Sequence, residues 1–296
     1  MKRAAILGGL GAALIPAPAL AHDHVGRATG WNLDPVVIGG LVVAGVVYAA
    51  GWGRVVRSRS AATWNMRALC FGGGLFFLWV ALVSPVDAMG HQIFAMHMTQ
   101  HLILILAAAP LLAASAPLFV SGLVLPRAVS RVGRQVRDGR VGPALSHPLV
   151  ILGLHVGAIW AWHLPVLYES ALRSDVMHAL EHASFLGTGV AFWWVLLRRR
   201  PRLSGGQAVL YLFAGGIQSA ALGALLTFAS TPLYEVHTET AVWGLTPLED
   251  QQIAGAVMWV PSGIVYVLVA AVFFVRWLRS VQRAGDDAIA TGGGAA

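Results

Sequence analysis

At 296 residues, 57% of them hydrophobic and only 11% charged, the chain is too apolar for a soluble domain and long enough for several membrane crossings. A net charge of +7 would suggest a nucleic-acid partner in a soluble protein, but sixteen of the 20 basic residues fall in loops and a tail assigned below to one side of a membrane. The charge therefore reports topology, and no nucleic-acid partner is expected.

Residues 1–21 have a basic start at Lys2 and Arg3, an apolar run from Ala4 to Leu14, and Ala19, Leu20 and Ala21 ahead of a polar His22-Asp23-His24. This is the pattern of a cleavable secretory signal, followed by an outer segment over 22–33. Apolar runs of spanning length then recur at about 34–53, 67–84, 91–113, 148–163, 176–197, 207–229 and 251–275. The expected fold is all-α: a polytopic membrane helical bundle, with seven transmembrane helices over 34–278 and a disordered tail over 279–296. The fourth run is the shortest and is expected to continue past His163.

Charges sort the loops into two sides. Arg54, Arg57, Arg59 and Arg67, then Arg127 to Arg140, then Arg198 to Arg202, then Arg276, Arg279 and Arg283 mark the cytoplasmic side. The other loops carry acids, among them Asp87, Glu169, Asp175, Glu249 and Asp250. The expected topology is that of a bacterial inner membrane protein with its mature amino terminus in the periplasm and its carboxyl terminus in the cytoplasm.

Ten of the eleven histidines, all but His147, then map to the outer face or the outer halves of spans. In H-Q-I-F-A-M-H-M-T-Q-H, residues 91–101, His97 and His101 stand one helical turn apart on one face, with His91 at the start and Met96 and Met98 beside the first of the pair. Imidazole with thioether and no thiolate is a ligand set suited to copper; the lone cysteine, Cys70, offers no Cys-x-x-Cys pair. In H-A-L-E-H, residues 178–182, His178, Glu181 and His182 share a face. The string matches the H-x-x-E-H of certain zinc proteases, while Glu181 can equally serve as an acceptor that orients a ligating imidazole. His163 closes the fourth run at the surface, and His155 lies two turns deeper, either facing a functional partner or stitching two helices together by a hydrogen bond. The seventh run opens with Asp250 and Gln251, which like Glu181 are candidates to support a ligating imidazole, places Met258 two turns below, and carries Pro261, expected to kink it. If the signal is cut after Ala21, the new amine with His22 and His24 has the donors of a square-planar Cu(II) site.

H-M-T-Q-H-L-I-L at 97–104, W-H-L-P-V-L-Y-E-S-A-L at 162–172, H-A-L-E-H at 178–182, W-W at 193–194 and L-E-D-Q-Q-I-A-G-A-V-M-W-V-P at 248–261 together resemble the seven-span CtaG family of cytochrome c oxidase assembly factors. The resemblance covers about residues 35–280 and implies a role in assembling a haem-copper oxidase, at the step that supplies copper. Carried over by position, its motif residues are His97, His101, Trp162, His163, Pro165, His178, Glu181, His182, Asp250, Gln251 and Gly255. His91, His155, Met96, Met98, Met258 and the amino-terminal histidines come from the residues alone. The expectation is a copper-binding assembly factor, not an enzyme, whose partners are an oxidase subunit, a periplasmic copper donor and the lipid bilayer. Two alternatives stay open: an intramembrane zinc hydrolase acting on a lipid or amide, and a haem-binding membrane protein.

Overall fold

The computed structural model describes residues 30–57, 60–126, 141–198, 203–234 and 243–292, with residues 128, 131, 135, 139 and 240 between them. The expected signal segment, His22 and His24 lie outside the described residues. Long uncharged runs in lipid can satisfy their backbone polar groups only within the segment, and the described residues form helices with no strand. In order these are α1 (Pro35–Val56), α2 (Ala61–Leu82), α3 (Pro85–Gly90), α4 (Phe94–Leu102), a π-helical segment (Ile103–Ala108), α5 (Ala109–Ser115), α6 (Pro117–Ser121), α7 (Val141–Leu145), α8 (Pro148–Trp162), α9 (Pro165–Arg173), α10 (Asp175–Leu197), α11 (Gly205–Thr227) and α12 (Pro247–Gly292).

Six of these stretches are long and apolar enough to cross a membrane, and α8 with α9 makes a seventh as a pair bent by 74°. The protein is a multi-pass membrane protein. Arg54 lies in the last turn of α1, whereas His97 and His101 lie in α4, and His178 and His182 in the first turns of α10.

Several boundaries differ from expectation. The second span starts six residues early, at Ala61, so Arg67 lies inside α2, where it donates to the Ala114 carbonyl at 3.1 Å. The third span does not open at His91. Ser84 and Pro85 start the separate short helix α3, His91 ends it, and α4 begins at Phe94. The fourth span does continue past His163, but not straight: Leu164, forced out of the helical region by Pro165, turns the chain into α9. The last helix does not stop near 275, and the tail expected to be disordered from 279 is helical to Gly292. Before Gly292 that stretch contains only one isolated glycine, Gly285, which weakens a helix by about 1 kcal/mol without ending it. Pro261 stands inside this one continuous helix.

Close backbone approach fixes the last two spans against each other. A Cβ on Gly255 of α12 would lie 2.5 Å from Thr227 Oγ1 and 2.6 Å from the Gly223 carbonyl oxygen of α11. Small residues at such a crossing let helices meet where lipid supplies no hydrophobic drive. Replacing Gly255 with leucine is expected to force α11 and α12 apart, destabilising the protein by about 1–3 kcal/mol or more. Thermal unfolding of the purified protein in detergent, against a surface change such as Leu268→Ala, measures it.

Candidate metal centre

The helix that carries His97 and His101 is capped from outside. Ile93, at the N-cap of α4, is extended and offers no side-chain acceptor, so the first amides of α4 need a partner. Asp250, from the start of α12, supplies it: its two carboxylate oxygens accept from Phe94 N at 2.6 Å and Ala95 N at 2.9 Å. A negative charge at this end also complements the helix dipole. One turn on, Gln100 Nε2 donates to Asp87 Oδ1 and to the Ala81 carbonyl, both at 2.7 Å, and Asn32 holds the other oxygen of Asp87 at 2.8 Å. α4 is thereby pinned on two sides and turns His97 and His101 towards α10.

α10 begins at an N-cap, Ser174, whose side chain accepts from Met177 N. It presents His178, Glu181 and His182 to the same space. Ring centroids are 4.3 Å apart for His97 and His101, 4.1 Å for His178 and His182, 5.3 Å for His97 and His178, and 5.4 Å for His101 and His182. Glu181, 0% exposed, lies among them: Oε2 is 3.5 Å from His97 Nε2, and Oε1 is 3.7 Å from His101 Nε2. Donor atoms of His97, His178 and Glu181 lie within 4.8 Å of one another, and so do those of His101, Glu181 and His182.

These separations suit a metal better than a hydrogen bond. Neither carboxylate oxygen of Glu181 has a hydrogen-bond partner, nor does either ring nitrogen of His101. A buried carboxylate left so is costly. Two ligands about 2.0–2.1 Å from one tetrahedral ion stand about 3.4 Å apart, close to the 3.5 Å observed between Glu181 and His97. The two groups share Glu181, so its oxygens can serve one ion or bridge two.

The remaining residues singled out from the sequence separate around this cluster. His91 joins its rim, with its ring 4.9 Å from that of His178. His163 is not in either group; its Nε2 is 3.3 Å from Met98 Sδ. Met258 lines a cavity deeper in the bundle together with Met98, His101 and His163. Met96 is half-buried and lies about 200° round α4 from Met98, so the two methionines cannot face one ion together. His155 belongs to neither group: its Nδ1 is 3.0 Å from Thr188 Oγ1, the stitching bond that the sequence reading left open. Asp250 and Gln251, expected to support imidazoles, hold backbone instead. Gln251 Oε1 accepts from Leu233 N at 2.6 Å, which ties down the chain between α11 and α12.

Sequence reasoning missed Gln100, Asp87, Tyr168 and Tyr234. Tyr168 packs its ring 5.2 Å from that of His97 and between Phe94 and Tyr234. Tyr234 donates to the His163 carbonyl at 2.9 Å, and burial pushes its phenol pKa up. Only Gln100 left a signal, as a polar side chain inside a span. Beneath His101 the helix widens into the π-segment. Pro110 has no N–H to offer the Leu106 carbonyl, and Ala109 N bonds five residues back to Leu104. Trp193 Nε1 then takes the Ile105 carbonyl at 2.8 Å, tying α10 to the widened turn.

Fold and site together define a polytopic helical membrane protein with a buried imidazole and carboxylate cluster near one end. The family model described as cytochrome c oxidase caa3 assembly factor matches residues 46–280, and the chain belongs to that family. It is similar to an uncharacterized protein of Mycobacterium leprae, 26% identical over 275 residues, covering 86% of this chain and 40% of that protein. Uncharacterized proteins of Mycobacterium bovis and Mycobacterium tuberculosis are each 26% identical over 270 residues, with the same two coverages, 86% and 40%. The chain thus spans about 40% of the length of these relatives. No solved structure matches it.

Asp250→Ala removes both acceptors from α4 and is expected to cost about 1–2 kcal/mol. Asp250→Asn, which keeps one acceptor, should fall between. Unfolding midpoints of the three proteins in one detergent test the order, and equal midpoints for Asp250→Ala and wild type would show that the cap does nothing.

Proposed function

We propose that this protein supports assembly of a haem-copper oxidase by binding copper in the His97, His101, His178, His182 and Glu181 cluster and passing it to an oxidase subunit beside it in the membrane. The observation that carries the reading is the closing of two imidazole pairs, from separate spans, around one buried carboxylate without a hydrogen-bond partner. Imidazole and carboxylate serve copper and zinc alike; membership of an oxidase assembly family is what favours copper. By the distribution of arginines the cluster faces the periplasm of a bacterial inner membrane, where a periplasmic donor supplies the ion. Imidazole ligands, lacking the hold of a buried thiolate cage, suit an ion that must leave again.

The rival readings need room. A lipid or amide hydrolase would activate a water on the metal beside its substrate, and haem would need space for a macrocycle. The adjoining cavity, about 30 Å3, has room for a few waters and none for a macrocycle or a lipid chain. His91, at the rim next to His178, lies on the route an incoming ion would take.

Copper-loaded wild-type protein, washed free of excess, should retain the ion. Glu181→Gln and a His97→Ala variant should bind it at least about tenfold more weakly. Metal analysis and competition titration read both. Wild-type protein that remains metal-free after loading would reject the proposal.

A further inference from the structure

Apart from the cluster, one pair of buried donors faces each other with no proton to share. His163 Nδ1 lies 2.7 Å from the Ile159 carbonyl oxygen. A carbonyl can only accept, so Nδ1 carries the hydrogen, and in the neutral ring Nε2 presents its lone pair. That lone pair meets Met98 Sδ at 3.3 Å, and a thioether has no hydrogen to give. Both side chains are buried, Met98 at 0% and His163 at 7% exposed. They come from different spans, α4 and the bend after α8, and the His163 backbone is itself fixed by the Tyr234 hydroxyl.

We infer that Met98 Sδ and His163 Nε2 form a second metal site, selective for a soft monovalent cation, Cu(I), with Met258 as its third donor. Bonds of about 2.0 Å to nitrogen and 2.3 Å to sulfur, meeting near the 120° of a three-donor site, place the two donors about 3.7 Å apart, so side-chain adjustments of a few tenths of an ångström from the 3.3 Å observed admit the ion. Met258 lines the same cavity as Met98 and His163. Thioether selects Cu(I) over harder ions. Charge selects in the same direction. No Asp or Glu lines this cavity, and the cost of burying an ion in an apolar medium grows as the square of its charge, about fourfold from one charge to two. The cluster, with Glu181 inside it, accommodates a divalent ion; the methionine site does not. His101 borders both, belonging to the Glu181 group and lining the cavity. The protein thus has two chemically graded stations, with His101 between them. This rests on the proposed copper role for its biological meaning, but the site itself does not depend on the cluster binding metal.

The test uses full-length protein in detergent under anaerobic, reducing conditions. Cu(I) is titrated against bicinchoninate, with Ag(I) as a redox-inert check, and the bound ion is examined by X-ray absorption. Wild type should show sulfur scattering near 2.3 Å. Met98→Leu, close in volume, should lose one of the two sulfurs and bind Cu(I) at least about tenfold more weakly while retaining Zn(II) binding at the cluster; Met258→Leu should likewise reduce the sulfur count by one. In Glu181→Gln protein the sulfur-ligated Cu(I) should persist, which separates failure of this site from failure of the cluster. A first shell of nitrogen and oxygen only, absence of Cu(I) binding, or sulfur scattering unchanged in Met98→Leu would overturn the proposal.

Discussion

The structure depends on one constraint, that the carboxylate of Glu181 is held out of water between helices. A carboxylate in that position needs compensation by hydrogen bonds, by a proton or by a cation. Its nearest neighbours are imidazole nitrogens at 3.5 and 3.7 Å, too far for strong hydrogen bonds. Four imidazoles stand around it in two pairs, one pair on each of two helices. That arrangement, more than any single histidine, gives this end of the bundle its chemistry.

Everything near the cluster keeps two helices in register. Asp250 caps α4 from a different span, so the helix that bears His97 and His101 cannot move along its axis without breaking two hydrogen bonds, one of them buried. Gln100 and Asp87 hold the flank of the same helix. The π-segment below His101 leaves a backbone carbonyl open to Trp193, and Gly189 lets α10 approach until an added Cβ would sit 3.2 Å from that of Ala109. The bend at Pro165 places Tyr168 under His97 and leaves His163 at the corner, aimed at Met98. The polar residues of the shared motifs therefore divide into those that offer donor atoms and those that hold backbone in place.

Much of this was legible from residue order. Uncharged runs of spanning length announced the helices. The four-residue spacing of His97 with His101 and of His178 with His182 announced shared faces. The motifs also carried the family, which the match over 46–280 shows. Other features were less visible. The run from His91, read as one span, hid the short helix α3 that Ser84 and Pro85 start and His91 ends, and the fresh start of α4 at Phe94. The charged stretch after 275 looked like a tail ending, although arginine is a good helix former and nothing there stops the helix.

Sequence by itself determined which segments cross the membrane, which end is basic, and which donors share a helical face, because each of these follows from local periodicity and composition. Only the tertiary structure decided which faces meet. It brought α4 against α10 around Glu181, sent His155 to Thr188, gave Asp250 to the backbone of α4 rather than to an imidazole, and paired His163 with Met98. These outcomes depend on contacts between residues up to 156 positions apart. They are set by glycine approaches, a proline bend and a cap supplied across spans, and none of those leaves a periodic trace in the chain.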